Sequence, residues 1–158
     1  MRVRLLSVLT VAIATVAALT IVSGSANATA PSGATTQLIS RATFADDYST
    51  NVDGIKAKIK GPVDVAVIHV TIQPGGTLGW HSHPGATFVM VTSGTITRVN
   101  ADGCGSEAVS AGHGFYEDPN SVHVAENRSS EPAETYVTFI VPVGSPLRID
   151  EPAPDCTP

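Results

Sequence analysis

The chain has 158 residues, about one domain's worth. Two cysteines exclude a disulfide-dense miniprotein and a four-cysteine zinc site. A charged share of 15%, below the usual quarter or so, excludes a charge-rich disordered chain. At a formal charge of -5 no basic stripe is visible to neutralise phosphates, which excludes nucleic acid as a partner.

Met1-Arg2-Val3-Arg4 is a short basic start, and an apolar run over 5–22 follows, broken only by Ser7, Thr10, Thr15 and Thr20. Ala26-x-Ala28 then offers the small residues a signal peptidase needs. The pattern predicts a secretory signal over residues 1–28, cut after Ala28, with a cut after Ala30 as the other choice. Read instead as a membrane anchor, the run is just short of the roughly 20 residues of a span, and alanine and threonine dilute it. The expectation is therefore a secreted chain, extracellular or periplasmic, with no membrane contact after cleavage. Without Arg2 and Arg4, seven basic residues face 14 acidic ones. That balance suits a small-molecule site better than an anionic polymer or membrane surface. In an oxidising compartment the two cysteines read most simply as one disulfide, Cys104–Cys156, with two free thiols as the other reading.

Residues 29–37 are small and polar and read as a flexible lead-in to a domain over 38–158. Short β-rich runs then alternate with turn signals. Residues 38–45 are the first candidate strand; 55–60 alternate strictly, as a half-exposed strand does, up to Gly61-Pro62. Residues 64–73 are rich in Val and Ile and end at Pro74-Gly75-Gly76. Residues 87–92 and 95–100 flank a turn at Ser93-Gly94, and 114–117, 122–126 and 134–141 complete the set. The tail from Ile149 contains two prolines and should be extended. No helical period is visible after residue 30. Strands at roughly ten-residue spacing predict an all-β sandwich or barrel in a single domain.

Five histidines punctuate this pattern: His69, His81, His83, His113 and His123. His81 and His83 form an H-x-H pair, which a strand places on one face, and two imidazoles on one face suit a borderline divalent metal. Gly75, five residues, His81-Ser82-His83, three residues, Thr87, six residues and Gly94 resemble the first motif of the cupin superfamily, with Thr87 where that motif has glutamate. Gly112, five residues, Asp118-Pro119-Asn120, two residues, His123, three residues and Asn127 resemble its second motif. There Asp118 replaces a proline and Asn120 a glycine, and asparagine tolerates the left-handed backbone of a turn glycine.

The resemblance covers roughly residues 55–143 and implies a cupin-type jelly-roll β-barrel with a metal inside. Carried over position by position, it makes His81, His83 and His123 metal ligands and puts the fourth ligand position on Thr87, a poor donor. Three neutral imidazoles with an open position suit iron, copper, zinc, nickel or manganese alike. They leave the ion's charge to an anionic outside ligand: carboxylate, enolate or phenolate. The resemblance thus implies an oxygenase on a small anionic or phenolic substrate first, and an isomerase or lyase next. A non-catalytic exported cupin that binds a metal or small molecule is the alternative, and a metal-free barrel comes third. Cupins often dimerise through edge strands, so a homodimer is compatible with the resemblance.

Other residues carry less. Glu117 and Asp118 read first as an exposed acidic turn and second as a replacement carboxylate or general base. Trp80 should point away from the paired histidines. His69 reads as a packed or surface residue, His113 as a turn residue, and Lys56, Lys58 and Lys60 as a solvated face. Asn127-Arg128-Ser129 matches a glycosylation sequon, but Asn127 is better explained as the asparagine ending the second motif.

Overall fold

The computed structural model describes residues 28–156. The signal segment expected over 1–28 lies outside the described residues apart from Ala28. The elements are all strands: β1 (Ser32–Phe44), β2 (Tyr48–Val52), β3 (Ile55–Ile59), β4 (Val63–Thr77), β5 (His81–Ser82), β6 (Ala86–Ser93), β7 (Thr95–Asn100), β8 (Ser106–Ser110), β9 (Gly114–Glu117), β10 (His123–Glu126), β11 (Ala133–Pro142) and β12 (Ile149–Asp150). No helix occurs among the described residues.

Alternation of side chains decides which face is inside. β4 buries Asp64, Ala66, Val70 and Ile72; β11 buries Ala133, Thr135, Val137, Phe139 and Val141; β6 buries Thr87, Val89 and Val91. β4 is the organising strand. One edge pairs with β1 and the other with β11, in register from Ala133↔Ile72 to Pro142↔Val63. β11 then pairs with β6, and β6 with β9. At the far end of β4, Thr77 pairs with Glu126 of β10, which also bonds β7 and β5. β8 closes on β7 and β12 on β5. The result is one ten-stranded antiparallel sheet curled into a barrel, with β2 and β3 as a separate hairpin. Its core is aliphatic (Val70, Ile72, Val89, Val91, Ile96 and Val137 among others), with Phe139 as the one large ring. This is the all-β jelly-roll barrel that the spacing and the resemblance imply.

Three features depart from the sequence reading. The segment 29–37, read as a flexible lead-in, is built into the barrel from Ser32 on as the first part of β1. Thr29 Oγ1 also accepts a hydrogen bond from the Trp80 backbone N–H at 2.6 Å. The reason is β4, which continues to Thr77 and presents edge groups that need partners. β2 and β8 were not expected, since short polar segments show no alternation. Finally, the tail is more than extended: β12 pairs with β5 through Ile149↔Ser82 and Asp150↔His81.

Two devices fasten this tail. Cys104 and Cys156 form the expected disulfide across a separation of 52 residues. Buried Asp64 accepts from Thr43 Oγ1 at 2.6 Å, the Gly144 backbone N–H at 3.0 Å and Arg41 Nε at 2.8 Å. Those bonds hold its carboxyl at about 2 and tie β1, β4 and the start of the tail together.

Candidate metal centre

Strand pairing assembles the histidines. His81 and His123 are direct cross-strand partners on β5 and β10. His83 follows two residues after His81, in the turn before β6. That turn is tight because Gly85 packs its Cα against the Ile140 carbonyl, where any Cβ would collide. Asn120, in the place of the motif glycine, takes φ 60 and donates its backbone N–H to the His83 carbonyl at 2.8 Å. All three imidazoles are buried, with ring centroids 4.4 to 5.1 Å apart. One nitrogen from each lies within 4.8 Å of the others.

Which nitrogen faces inward follows from the other one. Nδ1 of His81 meets the Gly79 carbonyl at 2.8 Å, Nδ1 of His123 meets the Ser121 carbonyl at 2.9 Å, and Nδ1 of His83 meets the Leu147 carbonyl at 2.6 Å. A carbonyl only accepts, so each Nδ1 carries the hydrogen. In the neutral ring the Nε2 lone pair is then left bare, an arrangement that orients imidazoles as ligands.

Glu117 stands against two members of the cluster. It sits on β9 directly across from Thr87 of β6, so the strand pair puts a carboxylate beside the position where the motif lacks one. Thr87 itself is fully buried, and its hydroxyl donates to the Gly85 carbonyl at 3.3 Å. Glu117 Oε2 lies 3.3 Å from His83 Nε2, and Oε1 lies 3.0 Å from His123 Nε2. The second contact is off the line of a hydrogen bond, leaving His123 Nε2 buried without a hydrogen-bond partner. Burial acts to raise the Glu117 carboxyl, but the interactions with His123 and His83 outweigh it and hold the group at about 2. Burial lowers His81 to about 3, aided by the charges of His123, Arg148 and His83. The Glu117 carboxylate and the Nε2 atoms of His83 and His123 therefore converge to about 3 Å of one another in a buried site. A proton on Nε2 or a metal ion between the groups satisfies both sides of each contact. The donor set, three imidazoles and a carboxylate, fits a divalent transition metal.

Beside the cluster is a cavity of about 170 Å³. Its walls are aliphatic apart from Phe115, Phe139, Thr36 and Thr135, and its polar end is formed by His81, His83, Glu117 and Arg148. A second, polar cleft reaches Glu117 and His123 from the side of Arg98, Asn100 and Asp118.

A family model for the cupin domain matches residues 68–139, the stretch that contains all four of these residues. Residues 68–139 form a cupin domain. Among solved structures, this cupin resembles a recombinant oxalate oxidase in complex with glycolate (23% identity, TM-score 0.52, covering 78% of this chain and 58% of that one), a likeness of fold. Another oxalate oxidase with the substrate analogue glycolate is 28% identical over 54% of this chain and 45% of its own, at a TM-score of 0.47. A cupin domain from Bordetella pertussis is 18% identical over 72% of this chain and 98% of its own, at a TM-score of 0.48. The chain thus spans about half the length of the oxalate oxidases. No curated protein matches its sequence significantly.

Of the residues singled out in the sequence, the barrel brings together His81, His83 and His123 and leaves His69 and His113 outside. His69 stacks on Tyr136 with centroids 4.9 Å apart, and His113 is exposed. Asp118 is exposed as read, but its neighbour Glu117 is buried, which overturns the reading of both as a solvated turn. The period-two rule carried the missing signal: along β9, exposed Tyr116 is followed by Glu117, the last residue of the strand, which must face the other way. Asn127 is buried and saturated, donating to the Ile72 and Glu131 carbonyls and accepting from Ser129, which suits the motif asparagine and not a glycan acceptor. Arg148 was not singled out at all.

Proposed function

We propose that this cupin is an exported metal-binding protein that holds a divalent ion through His81, His83, His123 and Glu117 and takes a small anionic molecule at that ion. The observation that carries the reading is the convergence of three buried imidazoles, two of them against the Glu117 carboxylate. Iron or copper there would supply oxygenase chemistry, our first choice, and zinc, nickel or manganese Lewis-acid chemistry. The chain's own residues do the rest. Backbone carbonyls aim the rings, Glu117 offsets part of the ion's charge, and the aliphatic walls exclude water. Export is supported by the basic start, apolar run and Ala-x-Ala sequence, and by a pairing of both cysteines that suits an oxidising compartment.

A non-catalytic binder is the second reading, and one observation favours it. Glu117 is the one carboxylate lining the cavity, and it is already engaged by two histidines. The deciding experiment is elemental analysis of protein purified without chelators, beside a His81→Ala/His123→Ala variant. Near one equivalent of metal, absent from the variant, is the expected result. No metal in either, even after reconstitution, would sink the proposal. Oxygen uptake with candidate phenols and carboxylates then separates an oxygenase from a binder.

A further inference from the structure

Arg148, whose side chain is 28% exposed, lines the polar end of the cavity, and its guanidinium lacks a full set of partners. Its Nε donates to Asp150 Oδ1 at 2.6 Å, but its Nη2 is buried and has no hydrogen-bond partner. A guanidinium nitrogen shielded from water and left unpaired is costly, and such groups call for an explanation. The tail fixes where it stands. Arg148 immediately precedes Ile149 and Asp150, which pair with Ser82 and His81, so it is held one strand away from the first histidine and lines the same cavity as His81, His83 and Glu117.

The remaining walls define what else the occupant carries. Apart from the hydroxyls of Thr36 and Thr135 they are apolar, with Ile68, Val70, Ile72, Val89, Val137 and Phe139 offering no hydrogen-bonding side chain. An apolar cavity of about 150 Å³ is enough to take up benzene, and this one measures about 170 Å³. It has room for one ring or a chain of similar bulk. A small dianion with no hydrocarbon body would leave these walls uncovered and add a second charge in an apolar space.

We propose that the cavity takes a monocarboxylate with a compact apolar body, its carboxylate held by Arg148 Nη2 beside the histidine cluster and its body among Val70, Ile72, Val137 and Phe139. The proposal rests on the reading of the cluster as a metal site and specifies the class of molecule that reaches it. Arg148 is a specificity-determining residue in this account.

The test is calorimetric titration with phenylacetate, its neutral counterpart 2-phenylethanol, and oxalate. It uses wild-type protein, Arg148→Met and Arg148→Lys, with metal content and thermal melting recorded for each preparation. A charge-assisted hydrogen bond in a buried site predicts that wild type binds phenylacetate at least about tenfold tighter than 2-phenylethanol. Phenylacetate should also outbind oxalate. Arg148→Met should erase the preference for phenylacetate at unchanged metal content, and Arg148→Lys should restore part of it. Equal binding of acid and alcohol, tighter binding of oxalate, or full affinity in Arg148→Met would overturn the proposal. If Arg148→Met fails to fold, the acid-to-alcohol ratio in wild type and Arg148→Lys decides. A wild type without metal would defeat the metal reading alone, since the ratio and its dependence on Arg148 are read separately.

Discussion

His81 and His123 are aimed by their own neighbours, whereas His83 is aimed by the far end of the chain. The first two rings each donate to a carbonyl two residues upstream, Gly79 and Ser121. The third donates to Leu147, 64 residues downstream. Two of the rings are therefore oriented as soon as β5 and β10 pair, but the third waits for the tail to dock. The same tail brings Arg148 to the cavity and adds Ser82 Oγ to Glu151 Oε1 at 2.8 Å. One side of the site is local and self-sufficient; the other is remote and depends on what fastens the tail.

The largest effect should come from unfastening it. The Cys104–Cys156 link closes 52 residues, and its removal in Cys104→Ser/Cys156→Ser costs about 4 kcal/mol on the chain-entropy account, read as a lower denaturant midpoint. Metal affinity should fall too, by about 10- to 100-fold, because His83 loses the partner that orients it. Unchanged affinity in a destabilised variant would show that the tail stays docked without its link.

Removing the carboxylate tests the opposite side. Glu117→Gln keeps the shape but takes away the charge facing His83 and His123. Metal affinity should drop by about 100-fold, or roughly 2.7 kcal/mol, measured by competition with a chelator. Adding Thr87→Glu to that variant should recover part of the loss, since positions 87 and 117 are cross-strand partners. No recovery would mean that the two positions do not reach the same point.

Acid should weaken the locally held side. Unfolded His81 takes up a proton near 6.5 and the folded residue only near about 3. Between those values the unfolded chain holds more protons, so the stability of chelator-treated protein falls as pH drops through this window. The slope is at most about 1.4 kcal/mol per pH unit. Glu117 acts in the same direction lower down, its contribution being lost as pH falls from 4.5 towards about 2. Urea midpoints at several values from pH 7 to pH 4 report the slope; a flat profile would mean that His81 is already charged in the folded state.

The barrel and its histidines were legible because both depend on short-range regularities. Alternating β-branched runs announced β4, β6 and β11, and the motif spacings placed His81, His83 and His123. Glu117 was half legible: the strand containing it was recognised, but which of two adjacent acids turned inward depended on where β9 ends. Arg148 was not legible. Its role arises from the pairing of β12 with β5 across nearly seventy residues, and a two-residue strand in a proline-containing tail leaves no periodic trace. The lead-in was misread for a related reason. Small polar residues signal a loop only when no long strand edge is waiting to pair with them.

The smallest effect separates two accounts of position 87. If the motif position itself supplied a ligand, the Thr87 hydroxyl would be the donor, and Thr87→Val would weaken metal binding. In the structure that hydroxyl is turned to the Gly85 carbonyl at 3.3 Å, a long bond within its own turn. Valine conserves the branched shape and removes only that bond, leaving one buried carbonyl short of a partner. The expected cost is about 1 kcal/mol of stability with metal affinity unchanged. A fall in affinity beyond about threefold, at a stability loss no larger than this, would move the fourth ligand from Glu117 back to Thr87.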